Sequence, residues 1–125
     1  MKLRKCLAVT AVLLAGVPAV AQDASKGEAI FKRCRACHAI GPAALNKAGP
    51  VLTGIVGRKA ASAPGFNYSD AMKAAGSSGI VWTEEKLAQF LEAPDVAVPN
   101  NVMAFPGLKN PTERADLIAF LKLHR

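Results

Sequence analysis

An all-α fold of about four helices joined by long irregular segments is predicted by three observations. Capping residues stand directly before apolar residues at helical spacing, at Ser69, Thr83 and Asn110. Between Ala39 and Asn67 the chain holds five glycines and three prolines and offers no convincing strand pair. Of 125 residues, 21 read as a targeting segment, and the remaining 104 suffice for one domain with a limited apolar core.

The targeting segment comes first. Lys2, Arg4 and Lys5 precede an uncharged run from Cys6 to Gln22, and Ala19-Val20-Ala21 is a small-x-small site suited to signal peptidase. Residues 1–21 are therefore read as a cleaved export signal and residues 22–125 as the mature domain. The run is short for a bilayer span, which needs about 20 apolar residues, and Gly16 and Pro18 interrupt it. A retained membrane anchor is the lesser alternative. Cys6 sits beside Lys5, without the surroundings of a lipid attachment site.

The first helix is expected from Asp23 to about Ala36, with Ala29, Ile30 and Phe31 as its apolar side and Gly27 at a close helix contact. A short second helix follows Ser69, from Asp70 to Ala75, and stops at Gly76. Thr83 caps the third, which has Glu84 and Glu85 in its first turn, turns Leu87, Phe90 and Leu91 inward, and ends at Pro94. Asn110 caps the fourth, with Pro111 first and Leu117, Ile118, Phe120 and Leu121 facing the core. The irregular stretch from Ala39 to Asn67 needs something else to organise it.

The full chain holds 16 Lys plus Arg against 9 Asp plus Glu, a net +7. Without the signal, 13 basic residues face nine acidic ones, and the excess falls to +4. No aromatic-interleaved basic run or zinc-finger spacing points to nucleic acid, so that partner is excluded.

Of three cysteines, Cys6 leaves with the signal. Cys34 and Cys37 remain, too close together to staple the fold by a disulfide, and His38 follows at once. Cys34-Arg35-Ala36-Cys37-His38 is C-x-x-C-H, the attachment pattern of c-type haem. Sulfurs three residues apart on one turn can both reach the vinyl groups on one haem edge, while the adjacent imidazole is directed at the iron. A dithiol redox site would want a strand beside the cysteines, and helix-like sequence precedes them; a zinc site lacks two further ligands.

A closed iron site means electron transfer, whereas an open one means gas binding or peroxide chemistry. His124 reads as a solvated cation at a helix end and Met72 as a packing residue of the short helix. Met103 lies in an irregular loop between helices, Val98 to Gly107, that can curve over a haem face, and is the favoured second axial ligand.

The chain resembles a class I cytochrome c, specifically a small bacterial cytochrome c2 similar to mitochondrial cytochrome c. The landmarks fall in order across essentially all of residues 22–125: Gly27 and Phe31, Cys34 to His38, Gly49-Pro50, Gly57-Arg58-Lys59, Gly65 to Asp70, Trp82, Met103 to Lys109, and Glu113 to Ile118. The resemblance implies a small cytochrome c fold, all-α, wrapped around one haem c held covalently by Cys34 and Cys37. It implies His38 and Met103 as axial iron ligands, with the Pro50 carbonyl accepting the His38 Nδ1 proton. Arg58, Tyr68 and Trp82 match residues that bond the haem propionates, and Phe105 packs on the haem. Gly27 and Phe31 match the contact with the last helix, near Leu117 and Phe120.

Three departures stand out from that family pattern. Phe90 replaces a tyrosine that many relatives direct at the methionine sulfur, and Asn101, at a position often threonine, is expected to supply a substitute donor. Met72 falls where an asparagine usually joins a buried water network. The lysine ring around the haem edge is thinned: Arg33, Lys47 and Lys109 keep basic partner-docking character, whereas Asp95, Val102 and Asn110 do not.

The expected function is that of a soluble periplasmic single-electron carrier, not an enzyme. Its expected donors are a quinol–cytochrome c reductase or a periplasmic dehydrogenase, and its acceptors a cytochrome oxidase or a photosynthetic reaction centre. A monomer touching membrane surfaces only transiently fits that role. A small haem peroxidase or gas-binding protein, with open iron, is the rival.

Overall fold

The computed structural model describes residues 22–125, so the signal assigned to residues 1–21 lies outside the described residues. Asp23 starts the first helix, α1 (Ala24–Phe31), by accepting the backbone N–H groups of Ser25 and Lys26. Gly27 and Phe31, four residues apart on one face, are buried. Ala29, expected inward, is exposed, because the face centred on Gly27 and Phe31 points away from it. The helix also stops five residues short of expectation. Past Phe31 the chain tightens into i→i+3 turns, with Cys34 N bonded to the Phe31 carbonyl at 2.8 Å and Cys37 N to Cys34 at 3.1 Å.

α2 (Asp70–Ser77) is capped by Ser69 and runs through Gly76 instead of stopping there. Gly76 is buried against the Ala60 carbonyl, which stands where a Cβ would be; its lack of a side chain serves close approach. α3 (Glu84–Glu92) is capped by Thr83 and buries Leu87 and Phe90. Pro94, expected only to end that helix, also opens a single extra turn, α4 (Pro94–Ala97), since its fixed φ suits a first helical position. α5 (Pro111–Lys122) matches its expected start, with Asn110 accepting from Thr112 N and Glu113 N. Among the described residues the only β pairing is one isolated bridge, Lys59 with Val81.

α1 and α5 pack across each other and bring the two ends of the domain together. The Phe31 and Phe120 rings lie 5.3 Å apart, and Gly27 sits directly on the Asp116 carbonyl. Burying a side chain such as Phe31, which is fully enclosed, stabilises the fold by about 1.5–3 kcal/mol. Asp116 is a buried carboxylate that the sequence did not announce; its Oδ1 accepts the Asp23 N–H at 2.8 Å. α5 also packs against α3, which closes the core around Leu87, Leu117 and Leu121. No helix among the described residues is long and apolar enough to cross a membrane.

The α1 cap carries a pH signature. The hydrogen bond from Ser25 Oγ, with the Lys26 N–H behind it, holds the Asp23 carboxyl below its ordinary value of 3.8. A depressed folded pKa gives stability that is present above the unfolded value and lost as pH falls through the folded one. Asp23→Ala is therefore expected to lower Tm at pH 7, with the gap to the parent closing in acid below that value. Asp23→Asn, which still caps, removes the pH dependence while keeping most of the Tm. Melting curves across this range check it; a gap that widens in acid refutes it.

Candidate functional site

The irregular stretch after Cys37 is organised by side chains reaching across it. Thr53 Oγ1 donates to the Gly41 carbonyl at 2.8 Å and accepts the Gly41 N–H at 3.0 Å. Asn46 donates to the Pro64 carbonyl and accepts the Val51 N–H, both at 2.9 Å. Arg58 reaches back with two nitrogens, to the Thr53 and Val51 carbonyls at 3.0 Å each. Polar side chains thus supply what a strand ladder would supply elsewhere.

These ties set His38 in place. Gly49 N donates to the Cys37 carbonyl at 2.7 Å, and Gly49 lies flat on the imidazole, where any Cβ would meet the ring. His38 Nδ1 is 2.7 Å from the Pro50 carbonyl oxygen. A carbonyl can only accept, so Nδ1 carries the proton and Nε2 presents its lone pair. Burial pushes the His38 pKa down; the Pro50 bond opposes this, and Lys47 and Arg58 add to it. The neutral imidazole that a metal needs is the form this environment favours.

Cys34 and Cys37 form no disulfide and lie on the turn that follows α1, Cys34 half-buried and Cys37 exposed. Burial is the main influence on Cys34 and pushes its thiol up, against a smaller pull from Arg33 and together with a small push from Cys37. Among the described residues, no three or more His, Cys, Asp or Glu side chains are grouped so that they could hold a metal ion.

Arg58 and Trp82 meet through their backbones, Trp82 N donating to the Arg58 carbonyl at 2.8 Å. Tyr68 lies close enough to Arg58 to act on its charge, and its hydroxyl oxygen accepts the Ala63 N–H at 2.9 Å, which frees its own proton to donate. Burial pushes the Arg58 guanidinium down from its ordinary value, yet it stays cationic at neutral pH. Its Nε is buried with no partner among the described residues. A half-buried guanidinium whose Nε is buried without a partner fits a carboxylate group, as a haem propionate supplies. The residues present therefore fit the group that the cysteine motif implies.

Met103 and Phe105 are half-buried and pack on the apolar core beside Cys34, Ile40, Leu52 and Leu91. Met72 packs there too, from α2. Phe90 is buried, its ring 5.0 Å from Trp82. Asn101 is not the free donor expected from its position. Its Nδ2 donates to Asp95 Oδ1 and the Val98 carbonyl, and its Oδ1 accepts the Met103 N–H. That arrangement went unread because it depends on α4, the turn the sequence reading missed. Of the three docking residues, Arg33, Lys47 and Lys109 are all exposed. Lys47 donates to the Arg35 carbonyl and Lys109 to the Glu92 carbonyl, so both ammonium groups are held by their own backbone.

Comparison with known proteins follows the same lines. The cytochrome c family model matches residues 24–124. Cytochrome c2 of Agrobacterium tumefaciens is 56% identical over 99 residues, covering 79% of this chain and 89% of the relative. Cytochrome c2 of Rhodomicrobium vannielii is 51% identical over 122 residues, 97% of this chain and 95% of that one. The solved structure of cytochrome c2 from Rhodospirillum centenum superposes with a TM-score of 0.78 at 40% identity, covering 82% of this chain and 98% of its own. The chain belongs to the cytochrome c family, as a class I bacterial cytochrome of the c2 type. Its cofactor is a covalently attached haem c, and it is an electron carrier that serves redox partners.

Proposed function

We propose that this protein carries single electrons in the periplasm, with residues 22–125 as the mature domain and residues 1–21 removed on export. Its donors are a quinol–cytochrome c reductase or a periplasmic dehydrogenase and its acceptors an oxidase or a reaction centre, each met by a monomer. When bound, haem c supplies the one-electron Fe(III)/Fe(II) couple. Cys34 and Cys37 would hold it through thioethers, His38 and Met103 would ligate its iron, and Phe105 would pack on it. Pro50 fixes the His38 proton on Nδ1, while Arg58, Tyr68 and Trp82 receive the propionates. Two ionised propionates lower the net charge of the mature domain to about +2.

The observation that carries this reading is the His38 environment: a neutral ring, protonated on Nδ1 by its bond to Pro50, beside two thiols on one turn. The test is a redox titration of the exported holoprotein, followed in the visible spectrum, with carbon monoxide added to the reduced form. A single-electron transition and no carbon monoxide binding support the carrier. Rapid binding would move the reading to a gas-binding protein or peroxidase.

Phe90 gives this carrier a tunable potential. A tyrosine there would place a hydroxyl in the buried site, and a donor to the methionine sulfur draws electron density from it and favours the reduced form. Phe90→Tyr is expected to raise the potential by about 20–60 mV, the one-electron equivalent of a net hydrogen bond. A titration that leaves both the potential and the sulfur band of the oxidised protein unchanged would count against it.

Docking follows from the thinned basic ring. Val102 is 80% exposed, and Ala104 is exposed beside it in sequence, so apolar contact supplements the charges of Arg33, Lys47 and Lys109. Between low and physiological salt, the rate of reduction by an acidic partner is expected to fall by less than about tenfold, against the ~10³ that strong steering can supply. Stopped-flow rates over that range decide it, a steeper fall being the contrary result.

A further inference from the structure

Asn101 ties the Met103 backbone to α4. Its Nδ2 donates to Asp95 Oδ1 at 3.1 Å and to the Val98 carbonyl at 2.9 Å, and its Oδ1 accepts the Met103 N–H at 2.9 Å. These three bonds admit one orientation of the amide. A flipped amide would set its oxygen against a carboxylate and a carbonyl, both acceptors, and its hydrogens against an N–H. Asp95 lies in the first turn of α4, Val98 follows as its cap, and Pro94 and Val98 are both buried. The tie therefore ends on fixed ground.

Few other hydrogen bonds hold the segment, although Met103 and Phe105 pack on the core. Among the described residues, the backbone hydrogen bonds of residues 99–107 stay inside the segment or reach Val98, such as Phe105 N to the Met103 carbonyl at 2.9 Å and Asn101 N to Val98 at 3.2 Å. The next outside anchor is Leu108 N, on the Leu91 carbonyl at 2.7 Å. Asn100 takes a left-handed φ of +63°, a turn that directs the chain back towards α4 and places the Asn101 amide between its partners.

We propose that Asp95 and Asn101 form a positioning pair that holds Met103 at its site, so that the side chain departs only after the Asn101 bond to its backbone breaks. This deepens the assignment of Met103 as an axial ligand and rests on it. The pair stands outside the α1–α5 core, so losing it opens the segment locally and leaves global unfolding nearly untouched. Asp95 acts through the amide: its carboxylate fixes which end faces Met103.

The test uses the oxidised holoprotein and four variants, Asn101→Ala, Asp95→Ala, Asp95→Asn and Met103→Ala. Three quantities are read: the rate of cyanide binding, which requires that Met103 has left; the temperature at which the methionine-sulfur band fades; and the urea midpoint. Losing a net hydrogen bond corresponds to about tenfold faster cyanide binding in Asn101→Ala, and the weaker, exposed Asp95 contact to about two- to threefold in Asp95→Ala. Both lower the temperature of band loss while the urea midpoint stays put. Asp95→Asn keeps an acceptor oxygen and restores the parent rate. If Asn101→Ala fails to load haem, Asp95→Ala alone decides.

Parent-like cyanide rates in both alanine variants overturn the proposal, as does a band that weakens only in step with the urea midpoint. A parent protein without the band, or a band that survives Met103→Ala, overturns the ligand assignment itself and the pair with it.

Discussion

Met103→Ala is expected to abolish the methionine-sulfur band of the oxidised protein and to let cyanide and carbon monoxide bind quickly, whereas Met72→Ala is expected to leave both properties as in the parent. The two methionines make a strict comparison because both pack on the same apolar core. They differ in backbone. Met72 lies within α2, whose helical bonds fix its direction, and Met103 lies in an irregular segment between α4 and α5. Removing a thioether ligand favours ferric iron, and the potential is expected to fall by on the order of 0.1–0.3 V, within the roughly 0.8 V that axial ligands span. Spectra and a redox titration check this. An unchanged potential in Met103→Ala, or a lost band in Met72→Ala, would sink the assignment.

Gly27→Ala destabilises the holoprotein although alanine is the better helix former. On propensity alone the change would gain about 1 kcal/mol. The added Cβ, however, would fall on the carbonyl of Asp116 and against Phe120 Cβ. A carbonyl inside α5 is fixed by the helix and cannot rotate away as a side chain would. Overpacking of this kind costs about 1–3 kcal/mol, and the α1–α5 contact must splay to relieve it. Gly27→Val adds more bulk for a smaller propensity gain and is expected to remove most of the roughly 5–15 kcal/mol that a domain holds. The check is the urea midpoint, with Glu28→Ala on the exposed face of α1 as the control. A more stable Gly27→Ala protein would falsify the close-contact account.

Much of this was legible in the sequence because the information is local. Cys34, Cys37 and His38 are adjacent, and the caps at Ser69, Thr83 and Asn110 act over three residues. Gly27 was readable as a contact point because a glycine in a helix asks for a reason. What went unread depends on partners distant in sequence or on a missing element. Gly76 looked like a stop because its reason, the Ala60 carbonyl, lies far back along the chain. Pro94 reads equally as the end of one helix or the first residue of the next. Without α4 the link from Asp95 to Asn101 has no scaffold, so in the sequence Asn101 reads as a donor open to the sulfur, whereas its amide serves the backbone. Asp116 carries no local sign that its carboxylate receives the Asp23 N–H, 93 positions away.

That last separation has a consequence in time. α1 and the Cys34–His38 turn leave the ribosome first, and the helix they clasp leaves last. Across those 93 positions, synthesis at about 5–20 residues per second makes the wait roughly 5–19 s. During it the two thiols sit on a chain that cannot yet close, because the loop-closing partner does not exist. The α1–α5 clasp can therefore form only after the Cys34–His38 turn has long been exposed. A circular permutant that places α5 before α1 would reverse this order of arrival while keeping every native contact.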